Sequence, residues 1–206
     1  MIEATKHAWI KRAFYRVESG LIFPRKFNKI DINKIDLLPD HSVLLLQNHF
    51  SWWDGFFGSY LAYQYLNKSY HVMVQEDQLK RHWYFKYKGA FSIKKQSREI
   101  QKSIHYAANL LEDAANMVLV FPQGRLQSMH TDKIEIQKGT LRLIESIKGN
   151  CQVIYNAVSV EYLESFKPTV TFNLLDCGTA QDIQTGELAK MISEFHADAM
   201  KRSIRP

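Results

Sequence analysis

The sequence predicts a single α/β domain: a mostly parallel or mixed central sheet flanked by helices, preceded by a basic amphipathic N-terminal helical arm. Three observations carry this. Short apolar runs such as Val43–Leu46 and Met117–Phe121 alternate with helical patterns of ten or more residues, the rhythm of crossover connections in a largely parallel sheet. At 206 residues, without repeats, low-complexity tracts or a dividing linker, one domain fits better than two, and such a chain buries roughly 70% of its extended surface. Charge is lopsided: residues 1–34 hold eight basic side chains against three acidic ones, five of the chain's six net positive charges.

The arm comes first. Its cations (Lys6, Lys11, Arg12, Arg16, Arg25, Lys26, Lys29, Lys34) interleave with Trp9, Ile10, Phe14, Tyr15, Leu21, Ile22 and Phe23, the composition of a helix lying on an anionic membrane surface. The same pattern also fits a helix packed on its own domain. Residues 35–206 form the domain proper. Leu38-Pro39-Asp40 turns into the buried strand His41–Gln47, and Trp52–Asn67 is an aromatic-rich helix. Tyr70–Gln75 and Ala90–Ile93 are strands, separated by the basic aromatic stretch Lys80–Lys88, which suits either a second membrane patch or a solvated face. Ile100, Ile104, Ala107, Ala108, Leu111 and Ala115 recur at helical spacing, with Ser97 and Glu99 marking the start. Met117–Phe121 is the clearest central strand, stopped by Pro122. Gly139–Ile147 is a helix, Gln152–Val160 and Thr169–Leu175 are strands, and Gly186–Arg202 closes the chain.

Several classes fall away. The longest apolar runs are far below the ~20 residues of a spanning helix. Cys151 and Cys177 form neither a disulfide framework nor a CxxC pair, and no secretory leader pattern opens the chain. The expectation is a cytoplasmic protein, peripheral on the inner face of the membrane. No nucleic-acid motif accompanies the basic charge, so no nucleic-acid partner is expected. The histidines form no HxH or HExxH grouping, so no metal is expected, and Gly58-Ser59 lacks the second glycine of a nucleophile elbow.

In such sheets the functional loops lie beyond the carboxyl ends of the strands. The loop after His41–Gln47 reads Asn48-His49-Phe50-Ser51-Trp52-Trp53-Asp54, and the loop after Met117–Phe121 reads Pro122-Gln123-Gly124-Arg125. His49 and Asp54 are close enough for the carboxylate to hold one imidazole nitrogen, leaving the other as general base. A turn histidine beside an early-helix acid favoured by the dipole is the plainer reading of the same spacing.

Asn48-His49-x4-Asp54 resembles the NHx4D signature of the glycerolipid acyltransferases, typified by 1-acylglycerol-3-phosphate acyltransferases. Gly89–Lys95, Phe121-Pro122-Gln123-Gly124 and Lys138-Gly139 resemble, in order, three further blocks of that family, the second being the head of FPEGTRS. The resemblance covers about residues 38–160, with FPxG roughly 70 residues beyond NHx4D. It implies transfer of a fatty-acyl group from a thioester, acyl-CoA or acyl-carrier protein, to a hydroxyl of a lipid-like acceptor. His49 would be the base and Asp54 its orienting acid, with no cofactor beyond the donor. Asn48, Lys95, Phe121, Pro122, Gln123, Gly124, Arg125 and Lys138 would line the substrate site. A non-catalytic lipid-binding module of the same fold is the alternative.

The chain departs from that family at acceptor-side positions. Gln123 stands in place of Glu, Leu126 in place of the phosphate-binding Arg, and Arg125 one position early; Tyr155-Asn156 replace the usual Pro. Because phosphate recognition favours the planar guanidinium fork, the expected acceptor is not 1-acylglycerol-3-phosphate. Another hydroxyl-bearing lipid, such as an amino-acid-linked or aryl lipid, is expected instead.

Overall fold

The computed structural model describes residues 1–5, 7–94, 97–162 and 164–204. The strands are β1 (Lys29–Ile32), β2 (Ser42–Gln47), β3 (Ser69–Gln75), β4 (Ala90–Ile93), β5 (Asn116–Val120), β6 (Cys151–Glu161) and β7 (Thr169–Thr179). They form one sheet in the order β1-β7-β6-β2-β5-β3-β4, parallel at every junction except the antiparallel β6–β7 pair. The expected single α/β domain with a mixed sheet is therefore present.

Central strands are buried on both faces and so read as unbroken apolar runs. In β2, Leu44 and Leu46 pack into a core beneath α5 (Ser97–Leu110), α6 (Lys138–Ser146) and α7 (Thr185–Ile204). Val43 and Leu45 face the opposite core, which holds Phe57 and Leu61 of α3 (Asp54–Leu61) together with Phe23, Phe27 and Leu79. Helix α3 continues through a π-helical turn, Ala62–Leu66, and stops at Asn67 in the left-handed conformation that asparagine tolerates. The stretch after β3 folds as α4 (Glu76–Arg81) and a 3-10 turn, Trp83–Lys88. Gly89 follows at φ +105°, where a Cβ would collide with the Tyr70 carbonyl oxygen, so only glycine fits.

The N-terminal segment is not a detachable arm. Helix α1 (Ala8–Val17), a π-helical turn (Glu18–Ile22) and α2 (Phe23–Lys26) lead directly into β1, which pairs with β7 as an edge strand of the sheet. Phe23 and Phe27 are core residues. A boundary at residue 34 thus follows the charge and not the packing.

Helix α1 is also inside out. Lys11, Tyr15 and Glu18 point inward and are buried, while Trp9, Phe14, Val17 and, one turn on, Leu21 are exposed beside Arg12 and Arg16. Lys11 Nζ donates to Ser69 Oγ (2.8 Å) and approaches His71 Nε2 (3.1 Å). With no carboxylate among these contacts, burial lowers the lysine pKa to about 8. Burial, reinforced by Lys11, lowers that of His71 to about 3. Glu18 pairs with Lys88, which lies over the Phe56 ring at 3.8 Å. Burial outweighs their attraction, pushing the Glu18 carboxyl up and the Lys88 amine down.

Candidate active site

Two loops meet at the carboxyl ends of the adjacent strands β2 and β5. The first is anchored before it turns. Asn48 sits at the end of β2, and its side-chain amide bridges to β6: Nδ2 donates to the Val158 carbonyl (2.9 Å) and Oδ1 accepts the Val158 N–H (2.8 Å). Gln47 donates to the Asp54 carbonyl (3.0 Å) and accepts from Asn156 Nδ2 (3.1 Å), tying the start of α3 to the sheet.

Asp54 opens α3 and turns its carboxylate back beneath the loop. One oxygen, Oδ2, accepts from the main-chain N–H of Phe50 (2.7 Å) and Ser51 (2.9 Å) and from His49 Nδ1 (2.6 Å). The Asp54 side chain is fully buried, whereas a quarter of the His49 side chain is exposed. An ionised carboxylate only accepts, so the contact places a proton on Nδ1, and in the neutral ring Nε2 keeps its lone pair. The Phe121 ring stacks on the imidazole at 4.0 Å and 15°, covering one face and limiting rotation.

The second loop holds the main chain of His49. Gln123 is buried; its Oε1 accepts the His49 N–H (2.9 Å) and its Nε2 donates to Gln127 Oε1 (2.7 Å). The Gln127 N–H in turn donates to the His49 carbonyl (2.8 Å). A closed ring of three hydrogen bonds thus secures both backbone polar groups of the histidine. Gly124, at φ +65°, turns the loop, and its N–H donates to the Phe121 carbonyl (3.1 Å). The Gln137 N–H donates to the Pro122 carbonyl (2.9 Å), bringing the start of α6 and Lys138 beside the loop. Arg125, Leu126 and Lys138 are exposed there.

His49, Asp54, Phe121, Pro122, Gln123, Gly124 and Arg125 are therefore gathered at one end of the sheet, with Lys138 on the neighbouring segment. Asn48 and Gln123, expected to line the substrate site, instead commit their amides to Val158, His49 and Gln127. Lys95 lies outside the described residues. Gln47, Asn156 and Gln127 support the site without any spacing signal in the sequence, because an isolated amide in a strand or loop has no pattern. Among the described residues no three His, Cys, Asp or Glu side chains converge as metal ligands. Cys151 and Cys177 are buried and unpaired, with thiol pKa values pushed up to about 11 and about 12 by burial. They are poor nucleophiles.

A carboxylate-held imidazole at the end of a mostly parallel sheet is the furniture of general-base chemistry on a bound substrate. A family model described as Acyltransferase matches residues 29–159. The chain belongs to that Acyltransferase family, whose chemistry is acyl transfer to a lipid-like acceptor. No curated protein matches the chain.

Proposed function

We propose that the protein is an O-acyltransferase that moves a fatty-acyl group from acyl-CoA or an acyl-carrier protein to the hydroxyl of a membrane lipid. The observation that carries this is the 2.6 Å contact between His49 Nδ1 and a fully buried Asp54. His49 Nε2 takes the acceptor hydroxyl proton as the oxygen attacks the thioester carbon. The tetrahedral intermediate then expels the thiolate, which recovers the proton from the imidazolium. Asp54 fixes the tautomer and offsets the imidazolium charge, an effect strengthened by its dry surroundings. The Gly124 N–H already serves the Phe121 carbonyl, so the donor for the oxyanion has to come from another group.

Attachment to the membrane is part of the same reading. No helix among the described residues is long and apolar enough to cross a bilayer. The outward side chains of α1, with Arg12 and Arg16 between them, suit interfacial docking on anionic lipid at the cytoplasmic face. Thiol release from acyl-thioesters in the presence of a lipid extract tests the proposal. His49→Ala should lower the rate by about 10²–10⁴, the usual worth of general-base assistance, in a chain that still folds. A variant that keeps most of its turnover would overturn the role of His49. Absence of release with every thioester, alongside retained lipid binding, would make the protein a binding module.

A further inference from the structure

The basic aromatic turn between β3 and β4 is not absorbed by the catalytic site, yet it leads to it. From this we infer that the turn is a second bilayer-docking surface, continuous with α1, which sets the mouth of the His49 site at the level of the lipid headgroups. The inference deepens the membrane part of the proposed function and rests on it.

An unbroken line of aromatic rings runs along this face. Trp52, three residues after His49 in the same loop, meets His82 at 4.8 Å and Phe85 at 5.7 Å between centroids. Tyr84 packs on Phe85 at 4.7 Å, Trp83 lies 6.3 Å from Tyr84, and Tyr87 lies 6.1 Å from Trp83. Although these rings touch one another, Trp83 is 61% exposed, Trp52 55% and Tyr84 40%. Three large exposed rings in one strip are more than scattered surface apolarity, and Trp and Tyr are the side chains suited to an apolar-to-wet boundary.

Charge identifies the occupant. From Lys80 to Lys88 there are four cations and no acid. Lys88 is turned inward to Glu18 and Lys80 pairs with Glu76 (2.8 Å), while Arg81 is exposed and the half-buried Lys86 lies over the Tyr87 ring at 4.9 Å. Cations fringing exposed aromatics complement an anionic lipid surface. The turn is also fastened to the N-terminal segment: the Thr5 N–H donates to the Lys86 carbonyl (2.9 Å), and the Glu18–Lys88 pair joins the end of α1 to the end of the turn. These two contacts join the turn that carries the exposed rings to the segment that carries the outward face of α1. An acidic carrier protein would also meet these cations, but it has no need of three solvent-facing rings beside an apolar helix face.

The test is co-sedimentation with vesicles of phosphatidylcholine alone and of phosphatidylcholine with phosphatidylglycerol. The variants are Trp83→Ala/Tyr84→Ala and, separately, His49→Ala. The double variant should lose about tenfold in partitioning to anionic vesicles from its smaller apolar contact. His49→Ala should bind as wild type does, so failure of the acyl-transfer reading leaves this measurement intact. With a vesicle-embedded acceptor, transfer by the double variant should fall in step with binding. Wild-type partitioning by the double variant would overturn the inference. So would a loss of transfer confined to the acyl-carrier-protein donor, with acyl-CoA unaffected, which would assign the turn to the donor protein.

Discussion

Gln123 shows how one side chain can govern another without touching substrate. Its Oε1 is the acceptor for the buried-side N–H of His49, and replacing it with leucine keeps the bulk while orphaning that donor. An unpaired buried donor costs about 1–3 kcal/mol. Gln123→Leu should therefore reduce kcat about tenfold or more with the acceptor KM unchanged. Gln123→Glu still accepts, and the Gln127 amide can reverse to donate, so it should retain most of the activity. If the acceptor KM alone moves in either variant, Gln123 contacts the acceptor and this assignment is wrong. Arg125 and Leu126 point outward beside it, one cation and one apolar residue where a phosphate site would set fixed donors. Transfer to lysophosphatidic acid and to its dephosphorylated analogue should then agree within about tenfold. A hundredfold preference for the phosphate form, ~2.7 kcal/mol at 1.36 per decade, lost in Arg125→Ala, would refute that expectation. The His49–Asp54 pair was legible because both residues flank a strand-to-helix turn. The inward aim of Asn48 and Gln123 was not, since it depends on a neighbouring strand and loop distant in the chain.

At the scale of elements, α1 is seated on β3 by the buried Lys11–His71 contact, and both groups make the fold more stable as pH rises, in two separate windows. His71 has a folded pKa of about 3 against ~6.5 unfolded. Between those values the unfolded chain binds a proton that the folded chain refuses, so stability is lost as pH falls from ~6.5 towards 3. Lys11, at about 8 folded against ~10.4 unfolded, carries a burial cost that is constant below pH 8. That cost is relieved as pH rises from 8 to ~10.4. In thermal melts from pH 4 to 10, His71→Asn should flatten the acid limb. Lys11→Met should be more stable than wild type, by a margin that shrinks above pH 8. Melting curves that run parallel to wild type at every pH would show that these groups do not titrate with folding. Helix α1 was visible in the sequence from its mixed charge and apolarity, but its orientation was not: periodicity marks two faces without saying which one turns inward. Strand β1 escaped notice because Lys29-Ile30-Asp31-Ile32 is short, charged and half-exposed at the sheet edge. The buried strands β2 and β5 stood out for the opposite reason.

For the whole molecule, the N-terminal segment that is proposed to face lipid is also a structural margin of the sheet. Deleting residues 1–34 removes β1 from β7 and takes Phe23 and Phe27 out of the core; truncating a buried Phe costs about 3–5 kcal/mol. The truncated chain should unfold or aggregate, as read by circular dichroism and size-exclusion chromatography. Recovery of a folded, soluble and active fragment would show that the sheet tolerates losing its edge. The β1–β7 pairing also has a consequence in time. Lys29 finds its partner at Thr169, so β1, the first strand of the sheet, waits for β7, its last. At about 5–20 residues per second, the roughly 140 residues between them take about seven to thirty seconds to synthesise. Throughout that interval Trp9, Phe14 and Leu21, which stay outward in the finished fold, are carried on a nascent chain whose edge strand has no partner. With the docking proposed above, adsorption to a bilayer comes first and closure of the fold second.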